Sequence, residues 1–128
     1  IQFSIYEPPS FELLRWLRQQ QILPVAAASL NPEATAQLNP MKDPHVRAIA
    51  AAVGRSPAQV LLRWVMRRAA VLPRSRSPQH IRENGQLDFS LSSAQLAQLD
   101  GLCTLVQSRQ GALRPPGAHD VYGLQRFT

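Results

Sequence analysis

The sequence predicts an α/β fold in which short parallel strands alternate with helices around one hydrophobic core. Strand-type runs at 1–6, 22–28 and 69–73 are separated by stretches with helical spacing and helix caps. The run 22–28 is continuously apolar, which is typical of a parallel strand covered on both faces. A chain of 128 residues suits one such domain.

The first strand is followed by a helix and then by the second strand. The strand ends at the Glu-Pro-Pro step of 7–9 because two prolines can continue neither a ladder nor a helix. Ser10 is a natural helix cap. An apolar stripe at helical spacing lies behind it: Leu13, Leu14, Trp16 and Leu17.

Two helices are predicted after a long loop. The loop covers 29–42, because this stretch has two Asn-Pro steps and no sustained period beyond one helical turn. One helix starts at Asp43-Pro44 and ends at Gly54. The next starts at the capping box Ser56-Pro57-Ala58-Gln59. The two helices are therefore expected to be neighbours.

The third strand, 69–73, leads directly into a further helix start at Ser77-Pro78. A capping box of Ser92 with Gln95 opens the last helix. Its apolar face is expected to hold Leu96, Leu99, Leu102, Cys103 and Val106. The composition then turns to Gly, Pro and Arg, so we predict one domain over 1–108 and a tail or loop over 109–128.

Composition excludes several classes of protein. Apolar residues make up 45% and charged residues 17% of the chain, which argues against disorder. No apolar run approaches the ~20 residues of a membrane span, so no membrane partner is expected. The lone Cys103 excludes a disulfide framework and a Cys-type zinc site, and it favours a reducing, cytoplasmic location.

The net charge of +6 points to anionic partners. All basic residues except Lys42 are arginine, which binds phosphate and carboxylate bidentately. Six of them crowd one stretch: Arg63, Arg67, Arg68, Arg74, Arg76 and Arg82. The alternative interpretation is a solvated helix face in an arginine-rich chain.

The stretch 71–84 is the best candidate for chemistry. A strand ends at two serines and two arginines, and a helix then begins with its unpaired amides and positive dipole end at the same place. This pattern predicts an anion pocket. The alternative is that Ser77 only caps the helix and the arginines only add solubility.

Other sites are not predicted. The six glycines form no phosphate loop, and no nucleophile-elbow motif is present. His45, His80 and His119 lack neighbours at metal-ligand spacing. Tyr6 and Tyr122 have no surroundings that would tune a pKa, and packing is favoured for Tyr6. We therefore predict neither a metal ligand nor a catalytic residue.

Several motifs then occur together in order. They are Ser56-Pro57-Ala58-Gln59-Val60-Leu61-Leu62-Arg63-Trp64, Leu72-Pro73-Arg74-Ser75, His80-Ile81-Arg82-Glu83-Asn84, Phe89, Leu91 and Leu99-Asp100-Gly101-Leu102. Together they resemble the C-terminal half of the aldo-keto reductase family. A weaker likeness upstream covers 1–8 and 11–29, so the resemblance extends over about residues 1–105.

The resemblance implies the C-terminal part of a (β/α)8 TIM barrel that binds NADPH and reduces small aldehydes or ketones. Such a barrel needs about 250 residues. The chain, which starts at Ile1, is therefore expected to be incomplete and to carry roughly the last three strands. The family's catalytic Asp, Tyr, Lys and His belong to the other half and have no match here. The chain alone is predicted to be inactive.

The resemblance also implies cofactor-binding positions. Arg74, where the family usually has Lys, and Ser75 would face the adenosine 2'-phosphate, while His80 replaces the usual arginine beside it. Glu83 and Asn84 match the pair at the adenine end. The implied NADPH-binding set is Ser29, Arg74, Ser75, Arg76, Ser77, His80, Glu83 and Asn84. Ala28 stands where the family has a tyrosine that stacks on the nicotinamide.

Two other functions stay open: a noncatalytic remnant, and an arginine-rich interaction module that binds anionic partners. Nucleic-acid binding is disfavoured because Trp16 and Trp64 lie in apolar stripes and are expected to be buried. We also expect self-association, because an incomplete barrel leaves open strand edges and an open apolar interior.

Overall fold

A computed structural model describes residues 1–30 and 39–110, and the side chains of these residues as far as Leu102. Its elements are α1 (Phe11–Gln19), β1 (Val25–Ala26), α2 (Pro44–Val53), α3 (Pro57–Val65), β2 (Ala70–Val71), α4 (Pro78–Gly85) and α5 (Ser93–Gln110). The predictions made for 31–38, for the side chains of Cys103 and Val106, and for His119, Tyr122 and the tail from 111 lie outside the described residues.

The helix starts predicted from caps are confirmed. The backbone N–H of Leu13 donates to the Ser10 side chain at 3.1 Å, and the Asp43 and Ser77 side chains cap α2 and α4 in the same way. Gly54 ends α2 in the left-handed region, at φ 64°, where glycine has no steric penalty. Both predicted capping boxes form, at Ser56 with Gln59 and at Ser92 with Gln95.

The strands are parallel, as predicted, and shorter than predicted. Val25 pairs with Ala70 and Ala26 with Val71, while Gln2 makes a single parallel bridge to Ala27. The chain near the first residue therefore lies beside β1, and β1 lies beside β2. Only two residues of the run 22–28 form regular strand.

One face of this sheet is buried and the other is open. Phe3 and Ala26 are fully buried against the helices. On the opposite face, Leu23 is 71% exposed, Leu72 66% and Val25 41%, and no described element covers them. The prediction that 22–28 is covered on both faces is therefore wrong for the described chain, because helices pack on one face only.

The core centres on Trp64 of α3. Its ring meets Phe3 edge-on, with 5.7 Å between centroids and an angle of 82°. Val46 of α2 and Leu99 of α5 complete this core from the neighbouring helices. Of the five residues predicted for the α5 face, Leu99 and Leu102 are buried and Leu96 is partly buried, while the side chains of Cys103 and Val106 lie outside the described residues.

Trp16 contradicts the predicted stripe of α1. It is 52% exposed, whereas Leu17 is the buried residue of the helix and Leu14 packs against the core in part. The helix contacts the core along a strip narrower than its apolar stripe, so the tryptophan at the stripe's edge faces solvent. Of the two tryptophans expected to be buried, only Trp64 is, so the exposed Trp16 no longer counts against nucleic-acid binding. Among the described residues, no helix is both long and apolar enough to cross a membrane.

We expect the 128-residue chain to associate through the open sheet face. Apolar surface of this kind marks an interface or an aggregation-prone region. Leu23→Gln should weaken the association by about tenfold, since it removes apolar area from the contact. Met66→Gln, at a residue that is 41% exposed on the helical side, serves as the control. Sedimentation velocity over a concentration series measures the effect, and a monodisperse monomer that binds no hydrophobic dye would contradict the expectation.

Candidate anion-binding site

The carboxyl ends of β1 and β2 meet at one edge of the sheet. Because the strands are parallel and Ala26 pairs with Val71, the residues that follow them run side by side. Ser29 and Arg74 each lie three residues beyond these paired positions, and Ser29 follows the bend that begins at Ala28. Edges of this kind, at the carboxyl ends of parallel strands, are where α/β proteins bind ligands.

Two arginines at this edge have no partner in the described chain. Arg74 and Arg76 are exposed, and neither makes an ion pair or a hydrogen bond with a described residue. They flank the turn between β2 and α4, so their charge lies at the helix's positive end. His80, one turn into α4, is also exposed. The turn therefore presents uncompensated positive charge.

Two serine hydroxyls shape this turn. The N–H of Ser77 donates to Ser75 Oγ at 3.1 Å, and the N–H of His80 donates to Ser77 Oγ at 3.4 Å. Each hydroxyl accepts a bond and retains its own proton for donation. The predicted cap function of Ser77 is thus confirmed, and it is compatible with binding an anion.

Ser29 is 6% exposed, and its Oγ makes no hydrogen bond. Among the described residues it is the one buried side-chain polar atom without a partner. Leaving a buried hydroxyl unpaired costs about 1–3 kcal/mol. The preceding Ala28 has φ 56°, in the left-handed region that a residue with a Cβ rarely adopts. Both unfavourable features lie at the carboxyl end of β1, and such features collect at functional sites.

The predicted arginine cluster divides into two groups. Arg63 Nε donates to the Phe89 carbonyl at 2.7 Å, and Arg67 Nη2 lies 2.8 Å from Asp100 Oδ1. Arg68 lies 3.7 Å from the same oxygen. These three arginines join α3 and the residues just after it to α5 and to the segment that precedes α5. Of the six, those left for an external anion are the ones after β2: Arg74, Arg76 and Arg82.

Glu83 and Asn84, half-buried near the end of α4, lie apart from the turn. Glu83 Oε1 accepts a bond from Gln79 Nε2 at 2.8 Å, along the exposed side of the helix. The structure places Asn84 beside Glu83 on α4, and no hydrogen bond joins its side chain to the described residues. Both residues share the short helix that carries His80, so all three move with it.

Gln59 was missed as a residue of this region. Its Nε2 donates to the carbonyls of Glu83 and Gln86, each at 3.0 Å, from a position that is 4% exposed. The sequence indicated only its capping role. A buried amide must also satisfy its two N–H donors, which is the signal that could have suggested a second contact.

Tyr6 is a packed residue, as favoured from sequence. It is 4% exposed within the core, and its hydroxyl donates to Asp43 Oδ2 at 2.9 Å. The expectation that nothing around Tyr6 would tune its pKa is wrong, because burial, followed by the hydrogen bond and the charge of Asp43, raises the pKa of the hydroxyl well above its ordinary value of 10.0. Such a phenol holds its proton tightly and is already engaged.

Comparisons with known proteins agree on one family. The family model described as Aldo/keto reductase family matches residues 7–103. Aldo-keto reductase family 1 member A1 of Bos taurus is 48% identical over 64 residues, and morphine 6-dehydrogenase of Pseudomonas putida is 46% identical over 71 residues. These alignments cover 48% and 54% of this chain, and 20% and 24% of the relatives. The chain thus matches about a fifth to a quarter of the length of these curated relatives.

A solved structure from the same family is also similar to this chain. The crystal structure of an aldo/keto reductase from Brucella melitensis superposes with a TM-score of 0.67 at 27% identity. The match covers 80% of this chain and 37% of that protein. The alternation of helices with parallel strands is therefore an α/β arrangement found in known structures.

The Tyr6 hydroxyl should make stability fall at alkaline pH. Because its pKa is raised in the folded state, the folded chain keeps a proton that the unfolded chain loses above pH 10. The contribution is complete below that pH and is lost as the pH rises, by up to about 1.4 kcal/mol per unit. Urea unfolding of the chain and of Tyr6→Phe between pH 9 and 11.5 measures it. Equal pH slopes in the two proteins would contradict the assignment.

Proposed function

The chain belongs to the aldo/keto reductase family, and we propose that its strand-end residues bind the adenosine 2'-phosphate end of NADPH. The family reduces carbonyl compounds with a nicotinamide cofactor. On this proposal the chain is the C-terminal part of a (β/α)8 barrel, and its partners are NADP(H) and, once the barrel is completed, a small aldehyde or ketone.

The observation that carries the proposal is the unpaired charge of Arg74 and Arg76 beside the start of α4. A phosphate dianion there would meet two guanidinium groups that lack described partners, together with the positive end of a helix. Charge-assisted bonds from arginine to phosphate are short and bidentate. The hydroxyl protons of Ser75 and Ser77 supply further donors to the same oxygens.

Ser29 supports the fit on the neighbouring strand. Its Oγ is buried just past the carboxyl end of β1 without a partner among the described residues, and an oxygen of a bound phosphate would satisfy it. A ligand that removes the cost of the unpaired hydroxyl gains affinity from that removal. His80 contributes charge only when it is protonated, so Arg76 is the stronger substitute for the arginine that the family usually has.

The described residues offer few contacts to the nicotinamide end of the cofactor. Ala28 offers no ring to stack on a nicotinamide, and the Tyr6 hydroxyl is engaged with Asp43 in the core. When bound, NADPH supplies the hydride for carbonyl reduction. The described residues bind and orient its phosphate end, and they supply no proton donor for the carbonyl oxygen. We therefore assign this chain cofactor binding rather than catalysis.

Arg74→Ala should weaken binding of 2',5'-ADP by about tenfold or more, because a charged hydrogen bond to phosphate is lost. Binding of 5'-AMP, which lacks the 2'-phosphate, should change little. Arg47→Ala, at an exposed arginine of α2, removes the same charge elsewhere and is the control. Isothermal titration calorimetry measures all three proteins. The proposal fails if the unaltered chain binds both nucleotides equally, or if the two variants behave alike.

Ser29→Ala should stabilise the free chain and weaken NADPH binding. Removing an unpartnered buried hydroxyl raises the free energy of unfolding by about 1 kcal/mol, while the lost donor lowers the affinity by about tenfold. Ser4→Ala is the matched control. Ser4 is also buried, but its Oγ accepts a bond from the Glu7 N–H at 3.1 Å, so the same change should destabilise the chain. Stability losses in both variants would contradict the role given to Ser29.

A further inference from the structure

We propose that Gln59 is a positioning residue, which fixes helix α4 and thereby sets the affinity for 2'-phosphorylated nucleotides. This inference rests on the proposed function, because α4 carries Ser77 and His80 at its start and Glu83 and Asn84 near its end. Gln59 itself lies on α3 and touches none of these side chains through the bonds described above.

Helix α4 buries fewer residues than the neighbouring helices do. None of its eight residues is buried, and Ile81, its largest apolar side chain, is 57% exposed. By contrast, α2 buries three residues and α3 buries six. Apolar burial is the usual force that fixes a helix to its domain. Since α4 has so little of it, polar contacts at its ends decide where it lies.

Gln59 supplies the contacts at the carboxyl end of α4. Its Nε2 donates to two carbonyls that lie in and just beyond the last turn, those of Glu83 and Gln86. The last carbonyls of a helix lack the usual partners within it, and the Glu83 carbonyl accepts the Gln86 N–H at 3.0 Å, so Gln59 is its second donor. Its Oε1 accepts the Ser56 N–H at 2.9 Å in the α3 capping box. One buried amide therefore joins the start of α3 to the end of α4.

The position of the carboxyl end controls the phosphate end. A helix of eight residues is about 12 Å long, so a tilt of about 5° at one end moves the other by about 1 Å. A displacement of that size is enough to spoil paired hydrogen bonds at a binding site. If α4 tilts, Arg74, which lies in the turn before the helix, would still reach the phosphate, whereas the phosphate contacts made by residues of α4 would be lost.

The test separates the two functions of Gln59. In Gln59→Glu the side chain still accepts the Ser56 N–H, since glutamate is a natural capping-box residue, but it has no donor for the two carbonyls. Amides of α4 should exchange with solvent about tenfold faster, and the dissociation constant of 2',5'-ADP should rise about threefold to tenfold. Exchange in α5 should stay unchanged.

Two controls accompany this variant. Gln95→Glu makes the same change in the capping box of α5, where Gln95 Oε1 accepts the Ser92 N–H at 2.8 Å and no described bond reaches α4. It should alter neither α4 exchange nor nucleotide affinity. Ile49→Val, in the α2 core, lowers global stability without touching α4 and should leave the affinity unchanged. If Gln59→Glu does not fold, Gln59→Met with Gln95→Met takes its place.

The outcomes distinguish this inference from the proposed function. If the unaltered chain binds 2',5'-ADP and Gln59→Glu leaves α4 exchange and affinity unchanged, the positioning role is wrong and the binding function stands. If Ile49→Val weakens binding as much as Gln59→Glu, the effect is one of global stability and the inference is overturned. If the unaltered chain binds no nucleotide, the proposed function fails and the effect on affinity is refuted with it.

Discussion

The parallel pairing of β1 with β2 is the constraint on which the rest of the structure depends. Two residue pairs, Val25 with Ala70 and Ala26 with Val71, bring the ends of both strands to one edge. The buried Ser29 and the charged turn after β2 therefore follow strands that end at the same edge. Helices α2 and α3 pack on one face of these strands, in the same core as Phe3 and Ala26. The core and the candidate site are therefore both built on the paired strands.

Arginine has two distinct functions in this chain. In α3 and just beyond its end it acts as a structural donor, to a carbonyl from Arg63 and to Asp100 from Arg67, and the Arg67 and Arg68 guanidinium groups also lie 5.8 and 5.5 Å from the Trp64 ring centroid. After β2, Arg74 and Arg76 have no such partner among the described residues. The same residue type thus stabilises the packing of the helices in one group and is available to bind an anion in the other.

Local signals were predictable from the sequence, and tertiary ones were not. Caps at Ser10 and Ser77 and the C-cap at Gly54 depend on a few neighbouring residues, so their patterns specified them. The exposure of Trp16, and the exposure of one face of 22–28, depend on which elements pack nearby. The same holds for the candidate site. The end of β2 and the start of α4 could be predicted from neighbouring residues, whereas the Gln59 contacts could not, because they join residues 24 and 27 positions apart.

Asp43 joins the two ends of the segment that carries the first half of the candidate site. One of its carboxylate oxygens caps α2 and the other accepts the Tyr6 hydroxyl, a bond between residues 37 positions apart. Helix α1, strand β1 and Ser29 all lie in the chain between these two residues. Because the two ends of this segment are joined in the core, it has less chain entropy to lose when β1 pairs with β2 than an open segment of the same length would have.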